Sequence, residues 1–97
     1  MEVRRLPSAI RDVDDIFSFL TDRDRQAADR FVLRVEQAIA RVAATPGIGS
    51  PRPEKGRGVR KLSVWPYLIL YRVTRAELVI GRVIDGRRDL RRIRFGG

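Results

Sequence analysis

Apolar residues fall along this chain in two rhythms, helical in the first half and strand-like in the second. Ile10, Val13, Ile16, Phe17 and Leu20 recur three or four apart and make one apolar stripe. Pro7-Ser8 precedes them, so a helix is expected from there, with Ser8 as its N-cap. Thr21-Asp22-Arg23-Asp24 interrupts the stripe as a tight turn. A second helical pattern follows from about Arg25 to Ala44, burying Ala28, Phe31, Val32, Val35, Ile39 and Val42 while Arg30, Arg34, Glu36 and Arg41 face water. Pro46-Gly47 stops it. So short a connection predicts an antiparallel helical hairpin.

The rhythm then changes. Gly47–Gly58 holds two prolines and four glycines in twelve residues and reads as an ordered loop. Val59–Val64 alternates and is expected to be a strand with one wet face. Trp65-Pro66 turns the chain into PYLILYRV, a polar break at Thr74–Glu77, and LVIGRVI, which together predict a β-hairpin ending in DGRRD. Tyr67, Ile69, Tyr71 and Val73 would share one face, but Leu68 and Leu70 load the other, as in the covered centre of a sheet. Glu2–Leu6 is a weak edge-strand signal. After Gly86 only Leu90, Ile93 and Phe95 are apolar, which leaves a short helix and a last edge strand both open for the tail. The order β-α-α-β-β-β predicts an α+β fold, a helical hairpin packed on one face of a mostly antiparallel sheet.

Composition narrows this further. Ninety-seven residues suit one domain spanning 1–97, and 43% hydrophobic with 34% charged residues suit a globular chain rather than a disordered one. Without cysteine or histidine there is no disulfide, no thiolate nucleophile and no usual neutral-pH base, and neither a metal nor a cofactor is expected. No run approaches the roughly 20 apolar residues that cross a bilayer, and MEVRRLPSAI lacks the apolar core of a signal peptide, so a cytoplasmic protein without membrane contact is expected.

The net charge of +9 lies wholly in the second half: residues 1–50 carry eight basic and eight acidic side chains, residues 51–97 thirteen and four. Such asymmetry points to an acidic partner, nucleic acid or protein. Heavy arginine use, with only Lys55 and Lys61 as lysines, is also what a GC-rich genome produces. Asp12, Asp14 and Asp15 lie near a helix start, where the dipole favours them, and have no histidine or metal-ligand spacing beside them, so a structural role is expected.

The stretches AADRF (Ala27–Phe31), GSPRPE (Gly49–Glu54), GVRKL (Gly58–Leu62), YLILYRV (Tyr67–Val73) and RVIDGRRDL (Arg82–Leu90) resemble, in that order, the RelE/ParE superfamily of type II toxin–antitoxin toxins. The RPE loop and the Gly86-x-Arg88-Asp89 ending are similar to its ParE branch, although Asp85 stands where that branch often has histidine. The resemblance implies a toxin neutralised by a tightly bound ParD-like antitoxin, in an assembly with two or more copies of each chain. ParE-type toxins act on DNA gyrase, whereas RelE-type toxins cut messenger RNA on the ribosome, and fold alone does not choose between them.

Residue chemistry weighs them. Cleavage through the 2′-hydroxyl needs a proton acceptor, a proton donor and cations. Arg60, Lys61, Arg82, Arg87 and Arg88 are cations that could line one face, but the segment Ile93-Arg94-Phe95 lacks tyrosine, and Tyr67 and Tyr71 belong to a central strand. Binding without catalysis is therefore the expected activity, with the ribonuclease and a non-toxic basic nucleic-acid-binding module as alternatives. Arg82, Arg87, Arg88, Arg91, Arg92 and Arg94 are candidate target contacts, since arginine suits bidentate contact with carboxylates and phosphates. Direct contact with DNA stays open. Arg30, Arg34, Arg60 and Arg72 are candidate antitoxin contacts, and Gly86, Asp89 and Pro53 are expected to be structural, Asp89 by pairing with a neighbouring arginine.

Overall fold

The computed structural model describes residues 1–97. The chain runs β1 (Glu2–Arg5), α1 (Pro7–Thr21), α2 (Arg25–Ala44), β2 (Ser50–Pro51), β3 (Val59–Val64), β4 (Tyr67–Val73) and β5 (Glu77–Asp85). The five strands form one sheet in the order β1-β5-β4-β3-β2, antiparallel except where β1 runs parallel to β5. The two helices pack on one of its faces, giving the expected α+β fold.

Local chemistry sets the helix boundaries. Pro7 opens α1, where a missing N–H costs nothing, and Asp24 caps α2 by accepting from the backbone of Gln26 at 3.0 Å and Ala27 at 3.3 Å. Ser8 does not cap α1. It lies inside the first turn, buried, where its hydroxyl donates to the Gly81 carbonyl at 2.7 Å and accepts from the Gly97 N–H at 3.0 Å. With the helix beginning at Pro7, Asp12 and its neighbours also fall beyond the first turn, where the dipole is weak.

The helix side of the sheet buries Leu62, Val64, Ile69, Tyr71, Leu78, Ile80 and Val83 against Phe31, Val35, Ala38, Ile39 and Val42. Phe31 meets Tyr67 edge-to-face with ring centroids 4.7 Å apart. Opposite Leu70 and Tyr71 the β5 register slips, pairing Leu70 with Arg82 and Tyr71 with Ile80, so Gly81 is the extra residue of a bulge. The bulge lets Ile80 and Val83, three apart, both face the helices.

The other face is covered too. Leu68, Leu70, Val79, Ile84 and Val59 pack beneath Ile93 and Phe95 of the tail, with Leu90 alongside. Leu90–Arg92 forms one 3-10 turn and the rest of the tail is extended without joining the sheet, so of the two open readings the short helix is nearer and no last strand forms. The wet face expected of Val59–Val64 is only partial, since Val59 is buried on the tail side and Lys61 half-buried while Ser63 is exposed. The Gly47–Gly58 loop holds 3-10 turns at Pro46–Ile48 and Pro53–Lys55 and the two-residue strand β2, which pairs Ser50 with Lys61 and Pro51 with Arg60.

Candidate functional site at the hairpin exit

The β4–β5 hairpin ends in a rigid corner. Gly86 donates its N–H to the Pro66 carbonyl at 2.7 Å, and a Cβ there would lie 3.0 Å from that oxygen and 3.1 Å from Leu68, so the chain turns most easily with glycine. Asp85 accepts from the Arg87 backbone at 2.9 Å and holds its guanidinium by two further bonds at 2.9 and 2.5 Å. These Arg87 contacts bring the Asp85 carboxyl down to about 2. Asp89 repeats the device, accepting from the Arg91 backbone at 3.1 Å and pairing with its guanidinium at 3.0 and 3.1 Å, which likewise lowers the Asp89 carboxyl. Asp89 thereby caps the Leu90–Arg92 turn. Two aspartates thus fix the backbone from residue 85 to 92 while satisfying Arg87 and Arg91. Arg88, Arg92 and Arg94 are left exposed, their side chains without an ion pair or hydrogen bond.

Arg82 is placed differently. β1 pairs β5 only as far as Ile80, and α1 closes the β5 edge beyond it: Ser8 takes the Gly81 carbonyl, and Asp12 accepts from the Val83 N–H at 2.9 Å. Arg82 then pairs with Asp12 through bonds of 2.7 and 3.0 Å, with both side chains more than four-fifths buried. Its guanidinium is engaged within the fold, and the pairing raises its already high pKa. The notion that Arg60, Lys61, Arg82, Arg87 and Arg88 line one face fails geometrically. Arg60 lies opposite Tyr71 on the helix side, Lys61 lies opposite Leu70 on the tail side, Arg82 closes an edge, and only Arg87 and Arg88 share the exit.

The four candidate antitoxin contacts are equally dispersed. Arg30 is exposed on α2, 3.9 Å from Asp24, and Arg34 donates to the Trp65 carbonyl. Arg60 staples the glycine-rich loop by donating to the Gly49 carbonyl at 2.7 Å. Arg72, on the tail side, donates to the Arg57 carbonyl at 2.9 Å and stands over the Phe95 ring at 4.6 Å. Pro53 opens the 3-10 turn that carries Lys55, and Lys55 donates to the Leu90 and Ile93 carbonyls, tying the tail down.

Neither tyrosine offers a free base. Tyr71 is fully buried, its hydroxyl donating to the Pro46 carbonyl and accepting from the Gly49 N–H, both at 2.8 Å. Tyr67 lines a cavity with Arg87 and Arg88, but burial, then the nearby Asp85 charge, push its hydroxyl up. No group of three or more His, Cys, Asp or Glu side chains lies together to hold a metal. No helix is long and apolar enough to cross a membrane.

Comparison with known proteins decides the family. Residues 3–90 match the model for the ParE toxin of type II toxin–antitoxin systems, parDE. The chain belongs to the ParE toxin family. Toxin ParE3 of Caulobacter vibrioides is 32% identical over 80 residues, 81% of this chain and 80% of that one. Toxin ParE1 of Mycobacterium tuberculosis is 33% identical over 88 residues, 89% and 90% of the two chains. A chain of the chromosomal ParDE system from P. aeruginosa superposes with a TM-score of 0.72 at 24% identity, covering 88% of this chain and 95% of its own length, which speaks to the fold alone. As a ParE-family toxin this chain keeps the superfamily sheet and carries three unpaired arginines, Arg88 at the exit and Arg92 and Arg94 further along the tail.

Proposed function

We propose that this ParE-family toxin inhibits DNA gyrase by binding, without bond-breaking chemistry of its own, and contacts it through Arg88 on the corner fixed by Asp85 and Asp89 and through Arg92 and Arg94 of the tail. The observation that carries the reading is that the guanidinium groups of Arg88, Arg92 and Arg94 are unpaired and have neither a histidine nor an available tyrosine beside them. The chain has no histidine, the Tyr71 hydroxyl is occupied on both sides, and Tyr67 resists ionisation. Arginines in that setting grip carboxylates or phosphates. The toxin acts in the cytoplasm.

Its neutralising partner is a ParD-like antitoxin whose C-terminal segment folds on the outer face of the helical hairpin and on a sheet edge, in an assembly with two or more copies of each chain. Support comes from large apolar side chains left in water there: Ile10 and Phe19 on α1, Leu33 on α2, and Trp65 beside Arg34. Expression without antitoxin is expected to arrest growth with a DNA-damage response and to leave transcripts uncut inside codons. New transcript ends within codons would reject the reading in favour of the ribonuclease. Neutralisation by an antitoxin lacking its C-terminal segment would reject the partner surface.

A further inference from the structure

A second cationic site lies away from the exit arginines, on the tail side of the sheet. A cavity of about 310 Å³ opens between the Pro53–Lys55 turn, the β3–β4 pair and the tail. Arg52, Lys55, Lys61 and Arg91 converge on it from three separate elements, against one carboxylate, Glu54. Leu70 and Leu90 supply its apolar wall.

Lys61 is the telling residue. It lies opposite Leu70 on the face that also carries Val59, Leu68, Val79 and Arg72, is half-buried, and makes neither a hydrogen bond nor an ion pair. An ammonium with no partner inside the fold is free to take one from outside it, and an anion makes the strongest such contact. The other cations are differently occupied. Lys55 holds the tail carbonyls, Arg91 is paired with Asp89, and Arg52 gives one bond to its neighbour Pro51 at 2.8 Å and keeps the rest of its guanidinium free.

We propose that this cavity binds a phosphate group of a single-stranded nucleic acid, with Lys61 and Arg52 on the phosphate and the leucines under the adjoining sugar or base. Phosphate oxygens diverge and accept donors from several directions, which suits cations arriving from a strand and a loop. A carboxylate presents one plane. Glu54 in the lining can accept from the N–H of a base. The apolar wall of Leu70 and Leu90 is idle for a bare anion.

The test is fluorescence anisotropy of purified toxin with a labelled ten-nucleotide single strand, with pyrophosphate and an acidic hexapeptide as competitors. Lys61→Met is expected to weaken strand binding about tenfold and to flatten the dependence of log affinity on log salt by about 0.7, one phosphate contact. Lys61→Arg restores binding to within about twofold, which separates lost charge from lost folding, and Arg75→Ala, in the β4–β5 turn, changes it by less than about twofold. Pyrophosphate competes and the hexapeptide does not. Equal losses from Lys61→Met and Arg75→Ala would reduce the site to general electrostatics and overturn the proposal. Tighter competition by the hexapeptide, or pyrophosphate shifting the Lys61 amide while the strand does not bind, overturns it as well. Failure of gyrase inhibition leaves this outcome untouched, so the two readings fall separately.

Discussion

The two faces of the sheet are closed by unlike means. Helices of 15 and 20 residues cover one, each with an apolar stripe and its own backbone hydrogen bonds. A single 3-10 turn and an extended stretch cover the other, with Ile93 and Phe95 as buried anchors. The helical cover is held by area. The tail cover is held by placement: Lys55 on the Leu90 and Ile93 carbonyls, and Ser8 on Gly81 and Gly97. Gly81 completes it, because a Cβ there would collide with the Phe95 carbonyl and lie 2.7 Å from its ring. A cover of this second kind can come away while the first stays folded, and the exit arginines and the Lys61 cavity both border it.

Truncating a core side chain on each face should break this contrast open. Phe31→Ala, at 3% exposure on the helix side, is expected to cost about 3–5 kcal/mol and to lower protection from hydrogen exchange throughout the chain. Phe95→Ala, at 7% exposure, is expected to cost less, about 2–3 kcal/mol, with loss of protection concentrated in residues 90–97, because the tail can leave before the sheet melts. Denaturant unfolding with exchange read by mass spectrometry measures both. Equal, global effects would show the tail to be as integral as the helices.

The edge between the faces gives the next effect. Asp12→Ala strands Arg82 and frees the Val83 N–H, and is expected to cost about 3 kcal/mol, whereas Asp12→Asn keeps an acceptor and should cost clearly less. Lys55→Met removes the clamp on the tail carbonyls and should cost about 1.5–2 kcal/mol, again with exchange accelerated only in the tail.

The smallest effect is acid release of the exit corner. Asp85 sits at about 2 when folded, below the ~3.9 of an unfolded aspartate, so its contribution is complete above about pH 4 and is lost as the pH falls toward 2. The pair is largely exposed and screened by solvent, so the contribution is small. NMR titration of the Arg87 amide should follow that window, and Asp85→Asn should abolish the transition.

The same contrast explains what could be read from sequence. The helices, β3 and the hairpin are periodic, and their apolar rhythm reports their burial directly, so their boundaries agree with the pattern to within a residue or two. The aspartate–arginine pair at Asp89 was legible because its partner is two residues away. Asp12 and Arg82 are 70 residues apart and join only because β1 stops short at Ile80, leaving an edge for α1 to close. Ser8 reads as a cap because serine is a favoured N-cap residue, but Pro7 takes the first helical position and the Ser8 hydroxyl is claimed by the tail and the bulge. The tail has three apolar residues with no period, and only the doubly apolar strand β4 hinted that something must cover the second face. Lys61 reads in the sequence only as one cation among several, since its place in a cavity comes from the tail built beside it.

The measurement that bears most directly on the account is gyrase supercoiling with purified toxin and its Arg88→Ala/Arg92→Ala/Arg94→Ala variant. These arginines are exposed and unpaired, so the variant should fold and still be bound by antitoxin. The account predicts that wild-type toxin in excess blocks supercoiling and that the variant loses at least about tenfold in potency. Normal supercoiling in the presence of excess wild-type toxin, or an undiminished block by the variant, would contradict it.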